Sequence, residues 1–376
     1  MASDDKELKY YVGQDFGSFD NPCHQSHFST FGLCGMQFDL KYINGFPEEI
    51  RRLNTEIGTV DHQGIESYHC KWYLSPNSPI DHVVNGIVAY KNDKTQEEKY
   101  ERARQVFDGE LERRLTDPSK APIKQVQNDP KKAIKKACDD GFEMLDAYCN
   151  CNNEDLILTI DDVVMCEVDV KMKIEGIWFE GTIDQIRLAP HTIKKYGNRF
   201  TWDEFEACKN EKDFSIYCVD AKTGIMIPGY YGLINSLQLR LYSVGIQCGT
   251  ILINNNSRCL GIYPEKGFIY HTRKLQRHKR NYTNPKTKQK FKPGDLKGDP
   301  IITVFNSEKE LVDSFSRFKK IITSIYNGIK LGVYIPNIYV CDSFCNVAET
   351  CTTFSGKHIE DDVIKAAQEV AETMEL

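Results

Sequence analysis

Two short strings carry residue types suited to hydrolytic chemistry. Glu180-Gly-Thr-Ile-Asp-Gln-Ile186 closes a run of alternating apolar and polar residues, which predicts a strand with Asp184 near its end. Ile216-Tyr-Cys-Val-Asp-Ala-Lys-Thr-Gly224 predicts a second strand. Side chains alternate in direction along a strand, so Asp220 and Lys222 share one face. Asp184, from a neighbouring strand, can add a second carboxylate to that face. Two carboxylates hold a hard divalent cation through oxygen, and a lysine beside them orients an attacking water or offsets phosphate charge. Metal-assisted attack on a phosphodiester needs that combination. Downstream, Ser236-Leu-Gln-Leu-Arg-Leu-Tyr242 sets Gln238 and Tyr242 four residues apart on one helical face. Each string alone is weak, since an Asp-x-Lys on a strand is more often a solvated ion pair.

The elements that must position these residues can be read around them. The sheet is expected to begin near Leu156. Residues 164–174 alternate and meet 177–188 across Glu175-Gly176, a hairpin pattern. Glu167, on its first strand, reads as a solvent-face residue. Residues 190–210 read as an insertion, and 224–232 as a Gly/Pro-rich loop. A further strand is expected near 259–263, then another over 268–271. Ser307-Glu-Lys-Glu310 is a capping box opening a helix to about Asn327.

Upstream, residues 1–28 read as a loosely held polar arm. Ser29 can cap a helix carrying Phe31, Cys34, Phe38 and Tyr42, with Cys34 as a small core residue. His62 and Glu66 stand four apart in Gly58-Thr-Val-Asp-His-Gln-Gly-Ile-Glu66, the plain reading being a helix histidine beside a solvated acid. His69 reads as structural, as do Cys149 and Cys151. Residues 75–95 read as a surface connection, 95–115 and 130–148 as helices with solvated charged faces, and 358–376 as an acidic amphipathic helix.

At 376 residues with 40% hydrophobic and 27% charged composition, the chain is in the range of ordinary globular proteins. No run approaches membrane-span length, and the polar opening Met1-Ala-Ser-Asp-Asp-Lys6 does not read as a signal peptide. A cytoplasmic, reducing setting is therefore expected, where the 14 cysteines would not form a disulfide framework and a cluster of them more often means metal. The net charge of −6 argues against wholesale coating of nucleic acid. Residues 271–297 nonetheless hold ten Lys or Arg against one Asp, with Tyr282 and Phe291 interleaved. Such a segment suits phosphate tracking and base stacking, with Arg273, Lys274, Arg277, Lys279 and Arg280 as the candidate contacts, or is a solvated loop. Cys341, Cys345 and Cys351 fall within eleven residues, a density that packing does not explain.

The ordered set of Gly58-x-x-x-His62-x-x-x-Glu66, Gly181-x-x-Asp184, Asp220-x-Lys222 and Gln238-x-x-x-Tyr242 resembles the PD-(D/E)XK nuclease superfamily. The match is to the RecB-like branch, which includes the AddB nuclease domain and the CRISPR-adaptation exonucleases. It implies an α/β fold: a restriction-endonuclease-like mixed sheet flanked by helices, with a helical N-terminal part over 29–155. The nuclease core would span 156–270, followed by the basic loop to 300, a helix with the cysteine cluster over 301–351, and the tail. Asp184, Asp220 and the main-chain carbonyl of Ala221 would hold Mg²⁺ or Mn²⁺, with His62 as an additional ligand. Lys222 would position the water, and Gln238 and Tyr242 would orient Lys222 and the DNA strand. Glu167 is similar to a carboxylate that some relatives carry ahead of Gly-x-x-Asp.

Iron–sulfur members take one cysteine from the N-terminal helix and three from the C-terminus. The resemblance thus implies a [4Fe–4S] cluster on Cys34, Cys341, Cys345 and Cys351. The Cys341-x-x-x-Cys345 spacing departs from the family's Cys-x-x-Cys, which leaves zinc or a vestigial set as alternatives. DNA is the implied substrate, cut by an exonuclease or at single-stranded ends. No helicase motif is present, so the resemblance implies a stand-alone enzyme or a subunit beside a helicase or recombination partner, as in prokaryotic or phage-encoded repair, the latter in host cytoplasm. A binding module with the same fold but weak turnover, or a zinc-stabilised accessory protein, is the competing reading.

Overall fold

A computed structural model of the protein describes residues 15–46, 51–69, 96–121, 123, 130–150, 156–223, 236–264, 266–272, 279–293, 301–335 and 351. The fold is mixed α/β. Its helices are α1 (Gln25–Leu33), α2 (Gly35–Phe38), α3 (Leu53–His69), α4 (Gln96–Thr116), α5 (Pro130–Cys149), α6 (Pro190–Tyr196), α7 (Trp202–Cys208), α8 (Leu237–Cys248) and α9 (Glu308–Lys330). The main sheet holds β1 (Cys166–Ile174), β2 (Ile177–Leu188), β3 (Ile216–Thr223), β4 (Thr250–Ile253), β5 (Asn256–Arg258), β6 (Lys266–Thr272) and β7 (Ile301–Ser307). Their order across the sheet is β7-β6-β3-β2-β1-β4-β5. The β3–β6 pair is parallel and the others are antiparallel.

The β1–β2 hairpin is the centre of this sheet. In β1, Cys166, Val168, Val170, Met172 and Ile174 are buried while the residues between them are more exposed. That period of two makes one face of the strand core. Glu175 (φ 50°) and Gly176 (φ 86°) both occupy the left-handed region, as a tight two-residue hairpin turn requires, and Ile174 pairs with Ile177. The last half of β2 is buried on both faces: Ile183, Ile186 and Leu188, but also Asp184, Gln185 and Arg187. Polar groups so placed need partners, and those partners define the site.

Helices α3, α4 and α5 pack on one another, burying Ile57, Val60, Ile65 and Tyr68 from α3, Ala103, Val106, Phe107 and Leu111 from α4, and Met144, Leu145 and Tyr148 from α5. These positions recur at three- and four-residue spacing or its multiples, which builds an apolar stripe on each helix. Residues 190–210 form α6 and α7 around Arg199–Phe200, which pairs with Thr159–Ile160 in a small separate sheet. A Thr201–Glu204 capping box starts α7.

Three expectations are corrected. Residues 15–28 are not a loose arm: Phe16 and Cys23 are buried, and the backbone of Gly17 and Cys23 bonds to Trp178 and Glu180 of β2. The helix expected from Ser29 starts at Gln25 and breaks at Cys34, whose backbone is extended (φ −159°, ψ 114°). Gly32 and Gly35 flank the break, each disfavouring helix by about 1 kcal/mol relative to alanine. The strand expected over 259–263 lies earlier, as β4 and β5, because Asn254 (φ 48°) and Asn255 (φ 64°) make the turn between them. The Gly/Pro-rich loop, the 75–95 connection, Cys151 and the acidic tail lie outside the described residues.

The two ends of the described chain meet. Tyr334 packs its ring against Phe31 and Phe38, and Tyr326 donates to the Phe16 carbonyl. The Gly35 N–H donates to the Ile335 carbonyl at 2.8 Å. A Cβ at Gly35 would stand 2.5 Å from the Ile335 nitrogen, so only glycine allows this approach. Gly35→Ala is expected to lower unfolding free energy by about 1–3 kcal/mol, from the forced separation and the lost hydrogen bond. Denaturant titration tests this, and an unchanged midpoint would show that the junction contributes nothing.

Candidate active site

Asp184, Asp220 and Glu167 come from three adjacent strands. The β1–β2 register pairs Cys166 with Gln185 and Val168 with Ile183, so Glu167 stands opposite Asp184. The β2–β3 register pairs Gln185 with Val219; carried one residue further, it sets Asp184 opposite Asp220. Three carboxylates therefore form a row across the sheet where the β2–β3 pairing ends.

Asp184 is 4% exposed, and both its oxygens are occupied. The Tyr242 hydroxyl donates to Oδ1 at 2.7 Å, and the Ala221 N–H donates to Oδ2 at 2.7 Å. Tyr242 in turn accepts from Gln238 Nε2 at 2.6 Å. Ser236 caps α8, its hydroxyl accepting from the Leu239 N–H, and so fixes where Gln238 and Tyr242 project. The sequence led us to expect that these two side chains orient Lys222. In the structure they form a relay onto Asp184 instead, because α8 packs against β1 and β3.

Lys222 donates to Asp220 Oδ1 at 2.5 Å, as the shared strand face requires. Burial pushes the Asp220 carboxyl up to about 7, with Lys222 opposing and Asp184 reinforcing the shift. Burial acts to lower the Lys222 ammonium, but Asp220 and Asp184 outweigh it and the net shift is upward. Burial also holds the Tyr242 hydroxyl well above its ordinary range, which keeps it a donor to Asp184.

His62 reaches the row from α3. Its Nδ1 lies 2.9 Å from Glu167 Oε1 and 3.7 Å from Asp184 Oδ2. Burial alone would depress the imidazole, yet the Asp184 and Glu167 carboxylates raise it to about 10. Glu66, four residues on, is buried rather than solvated. One donor atom each from His62, Glu167 and Asp184 lie within 4.8 Å of one another, the one such group among the described residues. This set differs from the expected one: Glu167 joins it, and Asp220 faces Lys222 at its border. An open cleft of about 560 Å³ leads to it, lined by Asn54, Thr55, Gly58, Thr59, His62, Glu167 and Lys222.

Glu167 is the residue that strand periodicity misplaces. Its backbone is left-handed inside a strand (φ 51°), yet the alternation holds; the face it takes is covered by α3, whose His62 meets the carboxylate, and is not a solvent face. Burial raises its pKa and the neighbouring His62 opposes that rise. Asn54, Thr55 and Thr59 on the cleft wall carried no sequence signal beyond their place one or two turns before His62.

His69, read as structural, anchors this arrangement. Its Nε2 is 2.8 Å from the Tyr148 hydroxyl, which also accepts from Gln185 Nε2 at 2.6 Å and Arg187 Nη2 at 3.3 Å. Of the basic segment, Lys279 and Arg280 are exposed, whereas Arg273, Lys274 and Arg277 lie outside the described residues. Cys34 and Cys351 are buried; Cys341 and Cys345 lie outside the described residues. Among the described residues no helix is long and apolar enough to cross a membrane.

A left-handed conformation costs an ordinary residue about 1–2 kcal/mol and glycine almost nothing. Glu167→Gly and Glu167→Ala both remove the carboxylate and should both weaken Mn²⁺ binding measured by calorimetry. The glycine variant should nonetheless be more stable than the alanine variant by about 1 kcal/mol. Equal stabilities would refute the strain, and unchanged Mn²⁺ affinity would remove Glu167 from the donor set. No family model matches the chain, and no curated protein matches it either, so the chemistry of this cluster carries the functional reading.

Proposed function

We propose that the chain is a divalent-cation-dependent DNA nuclease of the RecB-like PD-(D/E)XK type. It would act as an exonuclease or at single-stranded ends, in recombination, repair or phage DNA metabolism, alone or beside a helicase. One observation carries this reading: the His62, Glu167 and Asp184 donors converge beside the Lys222–Asp220 pair in an open cleft. A donor set of carboxylates with one imidazole suits a hard cation such as Mg²⁺ or Mn²⁺. Asp184, Glu167 and His62 would hold that ion, with Asp220 and the Ala221 carbonyl as further oxygen donors.

When bound, such an ion supplies electrostatic stabilisation of the charge that develops on phosphate oxygens. The chain's own groups do the rest. Lys222, held by Asp220, orients a water or offsets phosphate charge. Gln238 fixes Tyr242, and Tyr242 fixes the carboxylate plane of Asp184. Asn54, Thr55 and Thr59 offer hydrogen bonds to the sugar–phosphate backbone along the cleft wall.

Asp184→Ala or Asp220→Ala should abolish Mg²⁺- or Mn²⁺-dependent digestion of end-labelled linear DNA while leaving DNA binding largely intact. Lys222→Ala should be inactive yet still bind Mn²⁺. Near-normal turnover in any of the three sinks the assignment. Closed circular DNA run in parallel separates end-dependent from internal cutting. A wild-type protein that binds DNA but never cuts it would be the binding module instead.

The cysteines support a second element of this reading. Cys351 packs against Leu40 and Met36, within six residues of Cys34, in the region where Gly35 meets Ile335. We infer that Cys34 and Cys351, with Cys341 and Cys345, form a four-thiolate set for a [4Fe–4S] cluster. A staple between residues so far apart should contribute several kcal/mol by loop closure. Cys34→Ser is expected to lose iron, visible colour and that stability, whereas Cys149→Ser, whose sulfur is buried beside α3, should keep its iron. Stoichiometric zinc without iron in anaerobically purified protein would replace the cluster and leave the nuclease reading standing.

A further inference from the structure

Between β6 and β7 the chain forms a small hairpin that belongs to no larger sheet. Tyr282–Thr283 pairs antiparallel with Lys290–Phe291, Tyr282 opposite Phe291 and Thr283 opposite Lys290. The turn is closed by its own bonds: Asn284 N–H to the Gln289 carbonyl, Lys288 N–H to the Asn284 carbonyl, and Lys286 N–H to Asn284 Oδ1. Asn284 Oδ1 also accepts from the Thr287 N–H. The turn's backbone is thus largely satisfied internally.

What those side chains are is the informative part. Residues 279–293 contain six Lys or Arg and no acid, in a chain of net charge −6. Lys279, Arg280, Lys286, Lys288 and Lys290 are all exposed, and none has an ion-pair partner among the described residues. The Tyr282 and Phe291 rings stack at 6.2 Å between centroids and 26° between planes. Tyr282 is still 44% exposed. A two-stranded hairpin is marginal in water by itself, so an exposed aromatic pair ringed by cations is costly for packing and well suited to a polyanion with flat bases.

The sheet sets the end from which the chain departs for this hairpin. β6 runs parallel to β3 and pairs His271 with Lys222; β7 returns from Ile301, paired with Thr272. The chain therefore leaves for the hairpin, and comes back from it, at the end of the sheet that carries Asp220 and Lys222.

We propose that the hairpin is a docking platform for single-stranded DNA, with an unpaired base stacked on Tyr282 and phosphates held by Lys286, Lys288, Lys290, Lys279 and Arg280. The single strand is favoured because stacking on a side chain needs a free base face, which a duplex has already filled with neighbouring bases. The choice of DNA rests on the nuclease reading; the stacking and charge arguments do not.

The test uses the full chain in EDTA, where cleavage cannot interfere, and fluorescence anisotropy with labelled oligo-dT of about 20 nucleotides. Tyr282→Ala should weaken binding about tenfold, and Tyr282→Leu nearly as much, since leucine keeps an apolar contact with Phe291 but has no π-face. Tyr282→Trp should retain wild-type affinity, and a blunt duplex should bind all four proteins weakly and alike. Replacing Lys286, Lys288 and Lys290 with Gln should flatten the slope of log affinity against log salt by about two. Wild-type affinity in Tyr282→Leu, tighter binding of duplex than of oligo-dT, tighter binding of oligo-U than of oligo-dT, or an unchanged salt slope each overturn the platform. Cleavage is assayed separately in Mg²⁺ on the same variants. A failed platform with active cleavage, and a working platform without cleavage, are therefore distinct results.

Discussion

Asp184 is the constraint on which the rest of the site depends. A carboxylate this deeply buried is tolerated only if its oxygens are matched by donors or a cation. The donors come from separate elements: Ala221 from β3 and Tyr242 from α8, with His62 from α3 close by. One side chain on β2 thereby fixes the relation of a neighbouring strand and two helices. The relay from Gln238 through Tyr242 extends the requirement outward, since a tyrosine that donates to Asp184 needs a donor of its own. Moving any of these elements would leave a buried charge with an open oxygen, a larger penalty than the loss of an apolar contact.

His62 is useful only if α3 sits at one height over the sheet, and the polar contacts at both ends of that helix set the height. At its C-terminal end His69 meets Tyr148, which also takes bonds from Gln185 and Arg187 on β2, the strand that carries Asp184. At its N-terminal end Glu56 is bridged by Arg114 of α4 and by Arg51, and Arg51 also donates to the Ala121 and Arg114 carbonyls. Ile57, Val60, Ile65 and Tyr68 supply the apolar burial between these anchors. Apolar contacts are tolerant of sliding, whereas a satisfied polar network has one geometry. The division of labour is therefore stabilisation by the stripe and register by the network.

Local chemistry made much of this legible. The hairpin turn at Glu175-Gly176, the placement of Asp220 and Lys222 on one strand, and the helices α4 and α5 follow from period and turn residues within a position or two. β4 and β5 had a local signal too, because Asn254-Asn255 suits consecutive left-handed residues between two strand-like segments. The β-branched run Ile301-Ile-Thr-Val likewise marks β7. Glu167 had none. Its alternation pointed to a face read as solvent, and only the packing of α3 on that face, with its bond from His62, makes the position part of the row. The target of Tyr242 was equally invisible, since spacing on α8 says which residues share a face and nothing of what that face meets.

On the nuclease reading proposed above, the charge distribution assigns holding a nucleic acid and cutting it to different residues. Glu167, Asp184 and Asp220 make the end of the cleft acidic, and His62 and Lys222 do not outnumber them. With His62 and Lys222 held as cations and burial raising Asp220 and Glu167, such a surface is close to balanced and offers a phosphate little attraction by itself. A bound divalent ion would add the positive charge that favours a backbone there. The hairpin of residues 279–293 has the opposite character: cationic without any ion, reached from the same end of the sheet, and built with no carboxylate of its own. Attraction over a Debye length falls to the hairpin, and contact-range chemistry falls to the carboxylate row. On that proposal, affinity measured without metal and turnover measured with it should respond to separate sets of substitutions, because the cations of the hairpin and the donors of the row share no residue.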